Sequence, residues 1–179
     1  MLKLQGIAVS SGVTIGEALV LDSEGFRIPR RFVARSAVDT ELQRLSNAVA
    51  ESTAEIKKNR DAVRGELGEQ YAAIFDAHLA MLHDQRLQEE LTSAVRDRNW
   101  WPEYAVSRTL RRYAKVFQKL DNHIAQRAHD IYDIEKSLLR NLLGQRRETL
   151  ASISEPVVIL AHNLTPSETA NLDRRFVKG

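Results

Sequence analysis

The chain has no cysteine, and that absence closes several chemistries at once. Disulfides, zinc–thiolate sites and thiol nucleophiles are all excluded. Aromatic residues are scarce, 6% against 43% hydrophobic residues overall, a balance that suits a helix-rich globular protein. No apolar run comes near the ~18 residues that a membrane span needs. The N-terminus lacks the basic, then apolar, then small-residue order of a secretory signal. Nor is there a surplus of charge. The net value is +2 over 179 residues, with 26 basic and 24 acidic residues interspersed as on a solvated surface. The five histidines are His78, His83, His123, His129 and His162, and no two stand at i, i+4. His78 and His83 are five apart, which points their rings away from each other on a helix, so no metal site is expected. There is no internal repeat or low-complexity segment. The plain expectation is a soluble cytoplasmic protein with no membrane segment.

What is present is mostly helix. Residues 1–21 carry Gly6, Gly12 and Gly16 between β-branched Ile7, Val9, Val13 and Ile15, which predicts two short strands and a turn near Ser10-Ser11-Gly12. After a connector with Gly25 and Pro29, Ser36 is placed to cap a long helix with Asp39 at N3. Leu42, Val49, Ile56 and Val63 recur every seven residues inside it, the spacing of a helix packed lengthwise on a neighbour. Val38 and Leu45 interleave with them, and Ser52 and Asn59 continue that second series in polar form. Gly65 and Gly68 interrupt the pattern. The next helix is expected to bury Tyr71, Ile74, Phe75, His78 and Leu82, with a break near His83-Asp84 before Leu87, Leu91 and Val95. Asn99-Trp-Trp-Pro102 starts another helix, whose apolar face is Val106, Leu110, Tyr113, Phe117 and Leu120. A turn at Asp121-Asn122 leads to the last long helix, with Ile124, Ala128, Ile131, Leu138 and Leu142 inward and Gly144 as its C′ residue. Short connections make neighbours antiparallel, so residues 36–144 should form a helical bundle.

The end of the chain changes character. Val157–Leu160 is a short β-rich apolar run, and Thr165, Pro166 and Glu168 supply N-cap, N1 and N3 of a capped helix. A βαβ unit needs roughly thirty residues and a returning strand, so the α/β unit is expected to be cut short at Gly179. The fold expected is mainly α, an antiparallel helical bundle inserted into an incomplete α/β subdomain.

Four stretches, in order and in register, resemble enzyme I of the bacterial phosphoenolpyruvate-dependent sugar phosphotransferase system. They are Gly6-Ile-Ala-Val-Ser-Ser-Gly-Val-Thr-Ile-Gly16, Ala73-Ile-Phe-Asp-Ala-His-Leu79, Arg127-Ala-His-Asp-Ile-Tyr-Asp-Ile134 with Leu138-Leu-Arg-Asn-Leu-Leu-Gly144, and Asn163-Leu-Thr-Pro-Ser-Glu-Thr-Ala170. Nitrogen-branch enzyme I and other phosphoenolpyruvate-utilising enzymes share the same features. The resemblance implies a phosphohistidine α/β subdomain (here residues 1–35 and 145–179) with a helical insertion (residues 36–144) that docks the phosphocarrier protein HPr. It also implies that the Gly-Gly-Arg-Thr-Ser-His-like loop lies beyond Gly179. The 179 residues are then an inactive N-terminal fragment of a phosphoenolpyruvate–protein phosphotransferase, with no catalytic residue beyond the supporting Thr169 and no cofactor. For the whole enzyme it implies Mg²⁺ at a separate C-terminal barrel and a homodimer formed through that domain.

For partner binding the resemblance points to Glu69, His78, Leu79, Met81, Asp84 and Arg127. His78 lies inside an apolar stripe, where a satisfied structural histidine is the competing reading. The family's acids after Asp84 are replaced by Gln85 and Arg86, and Gln70 follows Glu69 where a second acid is usual, so the charge that steers a basic partner is reduced. Two other features compete for function. Arg108, Arg111, Arg112 and Lys115 lie at helical spacing, either a wet helix face or a phosphate-binding one; the latter would fit a stand-alone interaction or nucleic-acid-binding module. Trp100-Trp101 reads as a plug at a helix junction or as a partner anchor.

Overall fold

The computed structural model describes residues 12–21, 28–120, 127–144, 155–161, 164–173 and 175–178. Five helices make the bundle: α1 (Val38–Leu67), α2 (Glu69–Leu82), α3 (Gln85–Arg96), α4 (Pro102–Phe117) and α5 (Ala128–Leu143). Strand β1 (Glu17–Leu21) precedes them, and β2 (Val157–Ala161) and the short helix α6 (Pro166–Ala170) follow. Of the two strands and the turn expected within residues 1–21, the part up to residue 11 lies outside the described residues, as do the turn at 121–122, Ile124, His123 and His162, and β1 is the strand in the described part.

Local chemistry explains most boundaries. Gly68, at φ 97°, ends α1 in a conformation that costs a glycine nothing, whereas α1 runs straight through Gly65. The Asp84 side chain accepts from the Leu87 amide at 2.9 Å and caps α3. Pro102 occupies the first turn of α4, and Gly144 takes the left-handed conformation after α5. At α6 the capping box is complete: Thr165 Oγ1 accepts from the Glu168 amide and Glu168 Oε2 from the Thr165 amide. One expected cap is absent. Arg35–Ala37 forms a 3₁₀ turn that encloses Ser36, and α1 begins at Val38 with no side-chain cap.

Cross-helix bonds fix the directions. Along α1, Thr53, Arg60 and Arg64 meet His83, Asp76 and Glu69 of the α2 hairpin, so rising numbers meet falling ones. Arg44, Ser52 and Glu55 meet Leu142, Asn141 and Ser137 of α5 in the same way. Ser107 and Gln118, in and just after α4, meet Glu135 and Tyr132 of α5. The pairs α1–α2, α1–α5 and α4–α5 are antiparallel, as expected of neighbours in the bundle. The core between them is aliphatic apart from Phe75, and includes Leu45, Ile56, Leu82, Leu91, Val106, Leu110, Ile134 and Leu138.

The seam of α1 differs from the heptad expectation. Leu45, Ala48, Ser52, Ile56 and Asn59 are the buried positions, while Leu42, Val49 and Val63 are only partly covered. Leu45, Ser52 and Asn59 of the interleaved series thus face inward together with Ile56 of the other; Asn141 Nδ2 donates to Ser52 Oγ at 2.9 Å and Asn171 Nδ2 to Asn59 Oδ1 at 3.2 Å, while Asn59 Nδ2 has no hydrogen-bond partner. Two other apolar expectations fail for simple reasons. Tyr71 stands at the open start of α2 and is 56% exposed, with Ala72 buried in its place; Leu120 lies beyond the end of α4 and is exposed too.

β1 and β2 pair in parallel, Glu17 opposite Val157 through Leu21 opposite Ala161. Parallel neighbours need a crossover connection, and here the whole bundle is that crossover. The protein is thus mainly α, with an antiparallel bundle inserted between two strands of one small sheet.

Candidate functional site

His78 projects from α2 into the α2–α5 junction and is 1% exposed. Its Nε2 is 3.4 Å from Asp130 Oδ1 and its Nδ1 is 3.7 Å from Asp133 Oδ2, two carboxylates one turn apart on α5. These are ion-pair separations rather than aligned hydrogen bonds, and Nε2 has no hydrogen-bond partner. Phe75 sits edge-on to the imidazole with centroids 5.8 Å apart, so the ring is wedged. Arg127 Nη1 donates to the other oxygen of Asp130 at 3.3 Å, and Arg127 itself is 54% exposed. Burial works to raise the Asp130 carboxyl, but His78 and Arg127 outweigh it and hold that group below its ordinary value. Asp133 Oδ2 accepts from both the backbone N–H and the hydroxyl of Ser167, at 3.2 and 2.8 Å. One buried imidazole thus joins an exposed guanidinium on one side to the first turn of α6 on the other.

The other partner-surface candidates lie along α2 and at its end. Leu79 and Met81 are partly buried and pack against the core from α2. Asp84, though exposed, already uses one carboxylate oxygen as the cap of α3. Glu69 is exposed at the start of α2 and pairs with Arg64, Nε to Oε2 at 2.7 Å. Fifteen residues separate Glu69 from Asp84, roughly 22 Å at helical rise, so five of the candidates are strung along α2 and its end, with Arg127 before α5, rather than gathered in a single pocket. The structure joins His78 to Arg127 through Asp130 and leaves Glu69 and Asp84 at opposite ends. Thr169 is exposed on α6, its hydroxyl donating to the Thr165 carbonyl at 3.1 Å. Asp130, Asp133 and Ser167 were not singled out from sequence. Two acids three residues apart on the inward face of a helix, in a chain with a buried histidine, were the available signal.

The competing features are largely absorbed by packing. Arg111 Nε donates to Glu135 Oε1 at 2.7 Å, and Arg112 is bound to Glu90. Burial pushes the Glu135 carboxyl above its ordinary value in spite of Ser107 and Arg111. Trp100 packs edge-on to Tyr104 at 5.0 Å and against the core, as a junction plug would. Among the described residues no three His, Asp or Glu side chains converge to hold a metal ion. None of the described helices is long and apolar enough to cross a membrane.

A model of the family described as PEP-utilising enzyme, N-terminal, matches residues 5–127. The chain belongs to that family. Curated relatives extend the match of this PEP-utilising N-terminal chain to its whole length. A phosphoenolpyruvate-protein phosphotransferase of Priestia megaterium is 38% identical over 99% of the chain and 31% of its own length. The protein of that name from Geobacillus stearothermophilus is 38% identical over 98% of the chain and 30% of its own. The chain therefore spans about a third of the length of these relatives. Among solved structures, the solution structure of an Enzyme I protein superposes with TM-score 0.74 at 29% identity, covering 90% of this chain and 66% of that one. The N-terminal domain of the nitrogen Enzyme 1 gives TM-score 0.69 at 24% identity over 92% of this chain and 67% of that one, which establishes the fold alone.

Proposed function

We propose that this chain is the phosphocarrier-docking part of a phosphoenolpyruvate–protein phosphotransferase, and that the whole enzyme passes phosphate from phosphoenolpyruvate through a histidine to HPr. The observation that carries this is the match along 98–99% of the chain to proteins of that name. In this reading Leu79 and Met81 offer apolar contact, Glu69 and Asp84 meet basic groups of the partner, and Arg127 meets an acidic one. His78, being buried, acts through the side chains it holds rather than by contact. Residues 36–144 form the docking subdomain, with residues 1–35 and 145–179 contributing to the phosphohistidine subdomain, where Thr169 supports the reactive ring.

The chemistry of these residues suits docking better than phosphoryl transfer. A phosphorylated histidine needs a ring nitrogen open to an incoming phosphoryl group and held by a second group. His78 is wedged between two carboxylates and Phe75, which repel or block such a group. His83 Nε2 lies 3.1 Å from Thr53 Oγ1 on the bundle surface. The Gly-rich Thr-Ser-His loop of the family does not occur in this sequence. Nor do the described residues fit Mg²⁺. We assign the metal, and the dimer contact, to parts of the enzyme outside this sequence, and derive no step through either.

Titration of cognate HPr into isotopically labelled protein tests the docking assignment. Amide shifts should concentrate on Glu69–Asp84 and on the start of α5 around Arg127. Shifts confined to Arg108–Lys115 would refute it and favour the basic-face alternative.

A further inference from the structure

We propose that His78, Asp133 and Ser167 form a positioning relay that couples the exposed α2–α5 junction to the first turn of α6, and so to Thr169. The relay itself stands on geometry; only its consequence for docking rests on the function proposed above. The central group is Asp133 Oδ2. That single oxygen accepts the N–H and the O–H of Ser167 and faces His78 Nδ1 at 3.7 Å. Asp133, Ser167 and His78 are all buried, so none of the three can exchange its partner for water. A change in the imidazole's position must be answered by Asp133, and a change in Asp133 removes two hydrogen bonds from α6.

The other end of the relay reaches solvent. Arg127 holds Asp130 Oδ2, while Asp130 Oδ1 lies 3.4 Å from His78 Nε2. An anion that draws Arg127 outward takes away one of the two groups that face Asp130 and leaves the imidazole as the other. The ring can respond only by tilting against Phe75, which alters its distance to Asp133. Two further contacts, Lys136 to Glu168 and Asn171 to Asn59, also tie the α6 segment to the bundle. They set the expected scale: loss of the relay loosens α6 without releasing it. Thr169 is two residues after Ser167 in the same short helix and follows its position.

A double-mutant cycle tests this on the 179-residue chain. Ser167→Ala, His78→Gln and the double variant are compared by amide hydrogen exchange and by amide shifts of residues 165–172. Each single change should speed α6 exchange by on the order of tenfold, and the double variant should depart from the product of the two by about threefold or more. Ser107→Ala, on the α4 side of α5, should combine with His78→Gln without such a departure. Multiplicative behaviour in the Ser167–His78 cycle would overturn the relay. If His78→Gln does not fold, Ser167→Ala decides alone, because the His78 ring resonances must move; unmoved resonances overturn it. With HPr as probe, Ser167→Ala should weaken binding by about threefold although Ser167 is buried. Unchanged affinity would overturn the coupling to docking. Should wild-type protein not bind HPr at all, the docking function fails, and the exchange cycle still decides for or against the relay.

Discussion

Leu42 and Leu45 stand nearly one turn apart on α1 and offer a controlled comparison of which stripe faces the core. Both changes to Ala remove the same three carbons and carry the same small gain in helix propensity, so only burial differs. Leu45 is 4% exposed and belongs to the core, whereas Leu42 packs against it from the edge. Three carbons at about 0.8 kcal/mol each give roughly 2.4 kcal/mol of transfer free energy for a fully buried leucine. The cavity left among packed helices adds to that, so Leu45→Ala should cost about 3 kcal/mol, within the ~2–5 kcal/mol seen for such changes. Leu42→Ala keeps part of its solvent contact and leaves an open dent rather than a cavity, so about 1 kcal/mol is expected. Urea denaturation followed by circular dichroism measures both, and the m-value should not change. At this chain length the Leu45 variant should also melt roughly 6–12 °C lower. If Leu42→Ala costs as much as Leu45→Ala, the heptad series Leu42, Val49, Ile56, Val63 is the true seam and the orientation of α1 described above is wrong.

Other outcomes follow from individual contacts. Asp84→Asn keeps the α3 cap but removes the charge, so it should slow HPr association and weaken its salt dependence with stability nearly unchanged; Asp84→Lys should in addition lose ~1 kcal/mol of capping. A stopped-flow association rate for Asp84→Asn equal to wild type would remove Asp84 from the docking surface. Asp130 and Glu168 are both held below their ordinary values of 3.8 and 4.5, against the opposing effect of burial, by His78 and Arg127 and by Lys136 and the Thr165 amide respectively. Each therefore contributes stability that is present above the ordinary value and lost as pH falls through the lower folded one. Glu135, raised by burial, acts in reverse, contributing below 4.5 and losing that contribution as pH rises through its folded value. Denaturation curves across the acid range should show a shallower acid loss for Glu168→Gln and a steeper one for Glu135→Gln; an unaltered slope in both would contradict these assignments. Finally, a polypeptide of these 179 residues mixed with labelled phospho-HPr should acquire no acid-labile phosphate, and detection of such label on the chain would falsify the reading that none of its five histidines is the reactive one.

Where local chemistry alone decides structure, the sequence was readable. The capping box at Thr165 and Glu168, Pro102 in the first turn of α4, Gly144 as a left-handed stop and the break at His83-Asp84 need no information from distant residues. The orientation of α1 did need it. Its seam reads from sequence as two interleaved series, and hydrophobicity alone favours the one containing Val49 and Val63. The structure buries Ser52 and Asn59 of the more polar series beside Ile56 of the other, where Asn141 and Asn171 bond them from other elements, which no pattern within α1 can reveal. Ser36 shows the same limit at a helix end: a suitable residue was present, but the preceding segment entered as a 3₁₀ turn. At the site, the burial of His78 was legible from its stripe. Its partners were not, since Asp130 and Asp133 lie more than fifty residues away and only the packing of α2 on α5 brings them near.

The parallel pairing of β1 and β2 also constrains the order in which the molecule assembles. Glu17 must meet Val157 and Leu21 must meet Ala161, yet a flexible chain of that length closes at a large entropic cost, and two short strands return little for it. The helical hairpins between them have no such difficulty, because α1 and α2 are joined by one glycine and only two residues separate α2 from α3. Once the antiparallel bundle has formed, both of its chain ends are fixed and the strands are delivered to each other with most of the search already done. The sheet should therefore be the last element to form and the first to open, with its kinetics slaved to the bundle. Destabilising changes in β1 or β2 should speed local opening of the strands and leave the folding rate of the helices untouched.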